Sequence, residues 1–448
     1  MAGATTRAGP GRAAVGTSEM ATDSTLTHDR DGLTTGVTPT EREGVNGGDL
    51  EAGAPVLDGL AEPVDAPGRR GGSAQLAALA RPLGYFLLSR VAVLFAALVS
   101  KWIFPNLSIP NVLGDSWDGG WYNHIAQFGY PDRLVNEGTG SSWAFLPAFP
   151  AAIRFCVALT GLSYSHAAIV VSFLCGAASA VAIWLAVREV FGADIADRSV
   201  LFYVFFPTSF VLSMAYTEGL FLAAAGFSLW ALSRRYWITA SVFAVVASLT
   251  RSFGLVVVVC VAVAALPVVV RERKIRPLVA LGIAPLGFIA WLAYSWNRTG
   301  TALASFKAED YWGGAHFVWF MTPFRSLRNL FGGVHAFKVA PDVLAGCAVV
   351  FAAVGLVWLV QAQLKGVRIP LFWWVFTLGS IIGMLSPYWP TSILRYSMAV
   401  FPLFAGYAWK IRPSWTGGVV GALAVSQGAL AVMLFVAIVH PQATLLAP

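Results

Sequence analysis

Apolar residues in this chain gather into runs near the ~20 residues that an α-helix needs to cross a bilayer. They lie at about 82–104, 165–187, 198–214, 217–233, 236–250, 253–270, 278–296, 342–360, 369–387, 393–409 and 416–440. The pattern predicts an all-α polytopic membrane protein of about eleven transmembrane helices, the runs between 198 and 250 being short for a crossing. A further run, 143–160, contains Pro147, Pro150 and Arg154. The basic residues decide its placement, because Lys and Arg collect in the cytoplasmic loops of membrane proteins. If 143–160 does not cross, then Arg69, Arg70, Arg81, the Arg234-Arg235 pair, the Arg271-Glu272-Arg273-Lys274-Ile275-Arg276 cluster, Lys365 with Arg368, and Lys410 with Arg412 fall on one side. If it crosses, the first three separate from the rest. The run is therefore read as a juxtamembrane helix lying along the outer surface, and 105–164 and 297–341 become long outer loops.

Residues 1–75 do not share the pattern. The first 70 hold eleven acids and six Arg among Gly, Thr and Ala, with too little apolar area to offset the entropy of ordering. The expected organisation is a disordered cytoplasmic tail over 1–75 and a transmembrane domain over 76–448. The tail lacks the charged start, apolar core and small-residue cleavage site of a signal peptide, so 82–104 is expected to be the first insertion signal and to stay in place. Over the whole chain 57% of residues are hydrophobic and 12% charged, which excludes an ordinary soluble domain. The net charge of +7 arises from membrane-flanking loops rather than from a nucleic-acid patch. Cys156, Cys175, Cys260 and Cys347 lie far apart in apolar runs, with neither a disulfide framework nor metal-ligand spacing.

Acids are scarce beyond the tail, which makes Gly114-Asp115-Ser116-Trp117-Asp118-Gly119-Gly120-Trp121-Tyr122 conspicuous. Two carboxylates and several aromatics follow directly on a hydrophobic span. Asp115 and Asp118 are three apart, so a helix there would project both from one face, and Gly119-Gly120 would let the backbone approach a bulky ligand. A carboxylate so placed can take the proton of a hydroxyl as that hydroxyl attacks an activated sugar carbon. Trp and Tyr faces suit sugar rings, although interfacial anchoring accounts for them equally. The competing reading of the acids is a solvated loop or a helix cap.

Glu218, in Tyr216-Thr217-Glu218-Gly219, and Arg251, in Leu249-Thr250-Arg251-Ser252, each interrupt apolar runs on the expected outer side, where Arg395-Tyr396 also falls. A carboxylate at membrane depth marks a functional site or a structural ion pair. The arginines have the fork geometry for phosphate oxygens, and snorkelling is their ordinary alternative. His124 has no second ligand at metal spacing, and no metal is expected. No P-loop or dinucleotide glycine turn is present, and no repeat of ~20–50 residues that a tandem array would show.

Taken in order, these stretches resemble a family. Trp117-Asp118 with Ile125-Ala126 and Gly129-Tyr130 is similar to the W-D-x5-6-I-A-x-x-G-Y loop of the PIG-V type of mannosyltransferase. Phe145-Leu146-Pro147-Ala148-Phe149-Pro150 is similar to its F-F-P-x-[FY]-P segment, Tyr216-Thr217-Glu218 to Y-[ST]-E, and Leu249-Thr250-Arg251-Ser252 to its T-R-S turn. Arg395-Tyr396 with Phe401-Pro402-Leu403 matches near the end. The chain departs at Trp121-Tyr122, where eukaryotic members carry His-Phe, which leaves the acceptor open. The Ala-, Gly- and Arg-rich composition is that of a bacterial member and argues against a glycosylphosphatidylinositol acceptor.

The resemblance implies a GT-C glycosyltransferase fold, a bundle of about eleven transmembrane helices with outer-face juxtamembrane helices. It implies an inverting mannosyltransferase that takes mannose from a polyprenyl-phosphate donor and passes it to a hydroxyl of a lipid, glycan or protein on the non-cytoplasmic face of the cell membrane. Asp118 becomes the base, with Asp115 beside it. Trp117, Trp121, Tyr122, His124, Glu218, Arg251, Arg395 and Tyr396 become the substrate-binding set. The lipid-linked sugar is a co-substrate and no cofactor is expected; the partners are donor, acceptor and membrane lipids, without nucleic acid. Two alternatives stay open: a polyprenyl-linked sugar flippase, and the same chemistry with arabinose or glucose.

Overall fold

The computed structural model describes residues 72–138, 140–312, 320–331, 339–387 and 390–439. The expected tail lies outside the described residues up to 71. Its boundary at 75 falls inside the first turn of helix α1 (Gly72–Ile103), because Ala, Gln and Leu at 74–80 are strong helix formers. Every regular element among the described residues is helical. The short α2 (Ile109–Gly114) and α3 (Asp118–Phe128) follow, then α4 (Ala148–Thr160), α5 (Tyr164–Phe191) and α6 (Ala193–Val204). Next come α7 (Glu218–Ser233), α8 (Trp237–Thr250), α9 (Gly254–Glu272), α10 (Ile275–Ile283), α11 (Leu286–Thr299) and α12 (Ala304–Ala308). The series ends with α13 (Met321–Phe331), α14 (Val339–Leu364), α15 (Leu371–Leu385), α16 (Ile393–Tyr396), α17 (Pro402–Lys410) and α18 (Thr416–Val439).

Among the described residues, six stretches are long and apolar enough to cross a membrane: Ala77–Ile103, Tyr164–Phe191, Gly254–Glu272, Ile275–Thr299, Pro341–Leu364 and Pro413–Ala437. The chain is an all-α, multi-pass membrane protein. The other expected spans differ from continuous crossings. Those at 217–233, 236–250 and 369–387 are the shorter apolar helices α7, α8 and α15. The run at 198–214 is broken: α6 stops at Val204 and the chain continues through a 3-10 turn at Ser209–Ser213. Pro207 lacks the N–H that a helix needs and disfavours the helical region for Phe206. The run at 393–409 is broken likewise, with a 3-10 turn at Ser397–Ala399 before Pro402 opens α17.

Backbone groups freed inside apolar surroundings cost several kcal/mol each unless satisfied. Here the buried Arg90 of α1 satisfies them, donating to the carbonyls of Val204 (3.2 Å) and Ser209 (3.0 Å). Gln427 of α18 adds a second bond to Val204 (3.2 Å).

The run at 143–160 becomes α4, thirteen residues long, or about 20 Å at 1.5 Å per residue, too short to cross. Its Arg154 is explained locally: Nε donates to the Ala126 carbonyl (2.7 Å) at the end of α3, where helix carbonyls lack partners. The charge grouping also has a structural counterpart. One end of the bundle holds the pairs Arg234–Glu189 (2.9 Å), Arg235–Glu272 (3.2 Å) and Arg81–Asp197 (3.1 Å), together with Arg198 bonded to the Ile411 carbonyl (2.7 Å). Since α7 runs from Glu218 to Ser233 and Arg234 follows it, Glu218 marks the opposite end.

Small residues bring α7 close against α5. A Cβ at Gly219 would lie 2.8 Å from the Gly176 nitrogen, so only glycine allows this approach. Such close backbone contacts are how helices associate in lipid, and this one fixes Glu218, the preceding residue, inside the bundle.

Candidate active site

Helices α7 and α8 form an antiparallel hairpin, so the first residue of one and the residue after the other meet. Glu218 Oε1 accepts a hydrogen bond from Arg251 Nη1 at 2.6 Å, and Arg251 Nη1 also reaches Thr217 Oγ1 at 3.1 Å. Glu218 Oε1 stands 3.4 Å from Nε of Arg395, and Nη1 of Arg395 donates to Asp118 Oδ2 at 3.1 Å. The result is a line of alternating charge, Arg251–Glu218–Arg395–Asp118, assembled from four distant parts of the chain. Three of its members suit the helix dipoles, with Asp118 and Glu218 in the first turns of α3 and α7 and Arg251 just past α8. The Glu218 and Arg395 side chains are 4% exposed and Asp118 is 29% exposed, so the line opens to solvent at Asp118.

Aromatic rings wall the buried part. Arg395 Cζ lies 4.7 Å from the Tyr216 ring centre and 5.1 Å from that of Tyr396, and Arg251 Cζ lies 4.8 Å from Tyr396. These distances are within cation–π range. Glu218 Oε2 and Tyr216 Oη are buried without a hydrogen-bond partner among the described residues.

Asp118 owes its position to a turn. The Gly119 N–H donates to the Ser116 carbonyl at 3.0 Å, and between them Trp117 adopts φ 49°, ψ −119°. That is the first central position of a type II′ turn, which glycine normally fills. Holding a Cβ-bearing residue there costs about 1–3 kcal/mol and persists where surrounding structure enforces it. Packing of the Trp117 ring against the core supplies that enforcement. Trp117→Gly is therefore expected to melt at a higher temperature than Trp117→Ala. Both lose the ring, and at an unstrained site the order reverses by about 0.4–1 kcal/mol. Alanine melting above glycine would show that the turn is unstrained.

The turn corrects two expectations. Asp115 and Asp118 do not share a helix face, because Asp115 caps the end of α2 and Asp118 opens α3. Asp115 is exposed and its Oδ1 accepts from Asn123 Nδ2 at 2.9 Å. Nor does Gly119 face open space: a Cβ there would meet the Ala215 Cβ at 3.0 Å, so the glycine serves packing of α3 on the protein itself.

Of the aromatic candidates, Tyr396 joins the arginines, and Tyr122, buried between Phe145 and Phe149, reaches the same cluster through a side-chain hydrogen bond with Thr217. Trp121 stays partly exposed one turn after Asp118, stacked on Phe145 (5.8 Å) and edge-on to Trp312 (5.1 Å). His124 points elsewhere, its Nε2 3.8 Å from Glu137. No cluster of three or more metal-ligating side chains occurs among the described residues. Two further rings belong to the site beyond the expected substrate-binding set: Tyr216, which the sequence offers only as the first residue of the Tyr216-Thr217-Glu218 block, and Trp312. Nothing in the sequence marks Trp312 beyond an aromatic in a loop.

Glu309 precedes Trp312 by one turn and its carbonyl accepts the Trp312 N–H at 3.0 Å. Burial, with Asp310 adding to it, pushes the Glu309 carboxyl from the usual 4.5 up to about 7. The folded chain thus holds this proton more tightly than the unfolded chain does. The stability contributed is complete below about pH 4.5 and is lost as pH rises through about 7. Glu309→Gln removes this titration, so its melting temperature relative to wild type should rise between about pH 5 and about pH 8. A gap independent of pH would refute the assignment.

No family model matches this chain, and no curated protein matches it. Among solved structures it is similar to ArnT from Cupriavidus metallidurans bound to undecaprenyl phosphate, with TM-score 0.44, 16% identity, and coverage of 80% of this chain and 70% of that one. It is also similar to the oligosaccharyltransferase of Archaeoglobus fulgidus tethered with an acceptor peptide, with TM-score 0.41, 14% identity and 78% of this chain covered. The chain spans 55% of that oligosaccharyltransferase.

Proposed function

We propose that the chain is an inverting GT-C glycosyltransferase that transfers mannose from a polyprenyl-phosphate donor to a hydroxyl acceptor on the extracytoplasmic face. The observation that carries this reading is convergence. Trp117-Asp118, Tyr216-Thr217-Glu218, Thr250-Arg251-Ser252 and Arg395-Tyr396 resemble family blocks separately, and they meet in one line of charge. The remaining block supplies Phe145, against which Trp121 stacks.

In this reading the acceptor oxygen attacks the sugar carbon while its proton passes to Asp118, whose Oδ2 is held by Arg395. The bond from that carbon to the phosphate oxygen breaks, and its electron pair leaves with the phosphate. A single displacement inverts the carbon. Arg395, between the base and Glu218, and Arg251 behind it offset the charge that develops on the phosphate.

The test is incubation of purified protein in nanodiscs with polyprenyl-phosphate mannose, glucose and arabinose, following release of polyprenyl phosphate. Release from the mannose lipid alone is expected. Release from another donor alone would change the sugar, and movement of an intact lipid-linked sugar across proteoliposomes without release would favour a flippase. For sidedness, a cysteine at 310 should label from outside intact cells and one at 274 should not; the reverse pattern would invert the topology.

A further inference from the structure

Helix α13 is built inside out. Its polar residues Thr322 and Ser326 are buried, and Asn329 of the same face reaches Asp342 Oδ2 of α14 (3.4 Å). Its large apolar residues face away from the protein: Met321 is 52% exposed, Phe324 64%, Leu327 52% and Phe331 85%. At 100° per residue the two sets lie on opposite faces. A helix that packed into a water-soluble core would show the reverse polarity.

Three further observations say what covers the apolar face. Helix α14, against which α13 packs, is long and apolar enough to cross a membrane and exposes Val343, Val350 and Val357 at heptad spacing, so α13 sits beside a helix with an apolar stripe of its own turned away from the protein. Arg328 is exposed on α13 itself, and the helix contains no acid. Eleven residues are also too few to cross a bilayer. An amphipathic helix with Phe and Leu on one side and Arg beside them suits the plane of the headgroups.

The start of α13 holds a particular piece of chain. The Phe320 N–H donates to Ser386 Oγ at 3.2 Å, and Thr322 Oγ1 bonds the Pro387 carbonyl. These residues end α15 just before the segment that carries Arg395. We propose that α13 lies in the bilayer interface with Phe324, Leu327 and Phe331 among the acyl chains, and that this anchorage positions the Arg395 segment for the phosphate of a lipid-linked ligand. The second half rests on the donor reading above; the first does not.

Nitroxides at Phe324→Cys and Leu327→Cys test the anchor, in a full chain whose native cysteines are replaced by alanine and which is held in nanodiscs. They should collide more with oxygen than with a water-soluble nickel chelate, and a label at Asp310→Cys should show the opposite. Preference for the chelate at both 324 and 327 overturns the anchor. For positioning, Phe324→Ser with Leu327→Ser should weaken retention of undecaprenyl phosphate, used as the probe, by about 10-fold, the order of loss when one hydrogen bond between charged groups is weakened. Phe324→Leu with Leu327→Met should restore it. Full retention by the serine pair overturns the positioning. A wild-type chain that does not retain the probe overturns the donor reading and the positioning with it, and the oxygen contrast still decides the anchor.

Discussion

Asp118→Asn is expected to lower turnover by about 10²-fold or more, the range for removal of a general base, while Asp115→Asn costs far less. The two acids stand in different surroundings despite their spacing. Asp118 is partly exposed at the open end of the charge line, with Oδ2 held by Arg395. Asparagine keeps its size and can still accept a bond from Arg395, so loss of activity would report loss of proton uptake rather than of position. Asp115 ends α2, and its side chain is tied to Asn123. Its replacement loosens a junction but removes nothing from the line. Measured turnover on well-folded variants separates the two. An inactive Asp115→Asn beside an active Asp118→Asn would exchange their roles, and two active variants would remove the loop from the chemistry.

What the sequence made visible follows from how far each signal reaches along the chain. Apolar runs report burial in lipid locally, so the long helices α1, α5, α9 and α14 were legible. Breaks were not. Pro207 marks where α6 ends, but its run keeps an apolar content that a crossing helix would share, and the bonds that make the break tolerable come from Arg90 and Gln427, far away in sequence. The same limit applies to the site. Asp118, Glu218, Arg251 and Arg395 each stood out as a charge interrupting apolar sequence, yet the spacing of Asp115 and Asp118 suggested one helix face where a strained turn at Trp117 separates them. Helix α13 had a local signal in Met321, Phe324, Leu327 and Phe331, obscured because its two arginines make the segment read as a polar loop.

Glu218→Gln should be among the most destabilising single changes in the bundle, because Glu218 stands between two guanidinium groups. Removing one partner from a buried ion pair costs about 3–5 kcal/mol, since the remaining charge is left without compensation. Here one substitution deprives both Arg251 and Arg395 of their shared carboxylate, leaving Asp118 as the acid of the line. Arg251→Gln should cost less, because Glu218 keeps Arg395 at 3.4 Å. The decisive variant is the pair Glu218→Gln with Arg251→Gln. It restores the balance of one guanidinium to one carboxylate, Arg395 with Asp118, so it should melt at or above Glu218→Gln rather than at the sum of the two losses. Groups that share a partner are where additivity fails. Thermal denaturation of the three variants in one detergent measures the order. Additive losses, or a Glu218→Gln chain as stable as wild type, would mean that Glu218 does not hold the two arginines in balance and that each is compensated elsewhere.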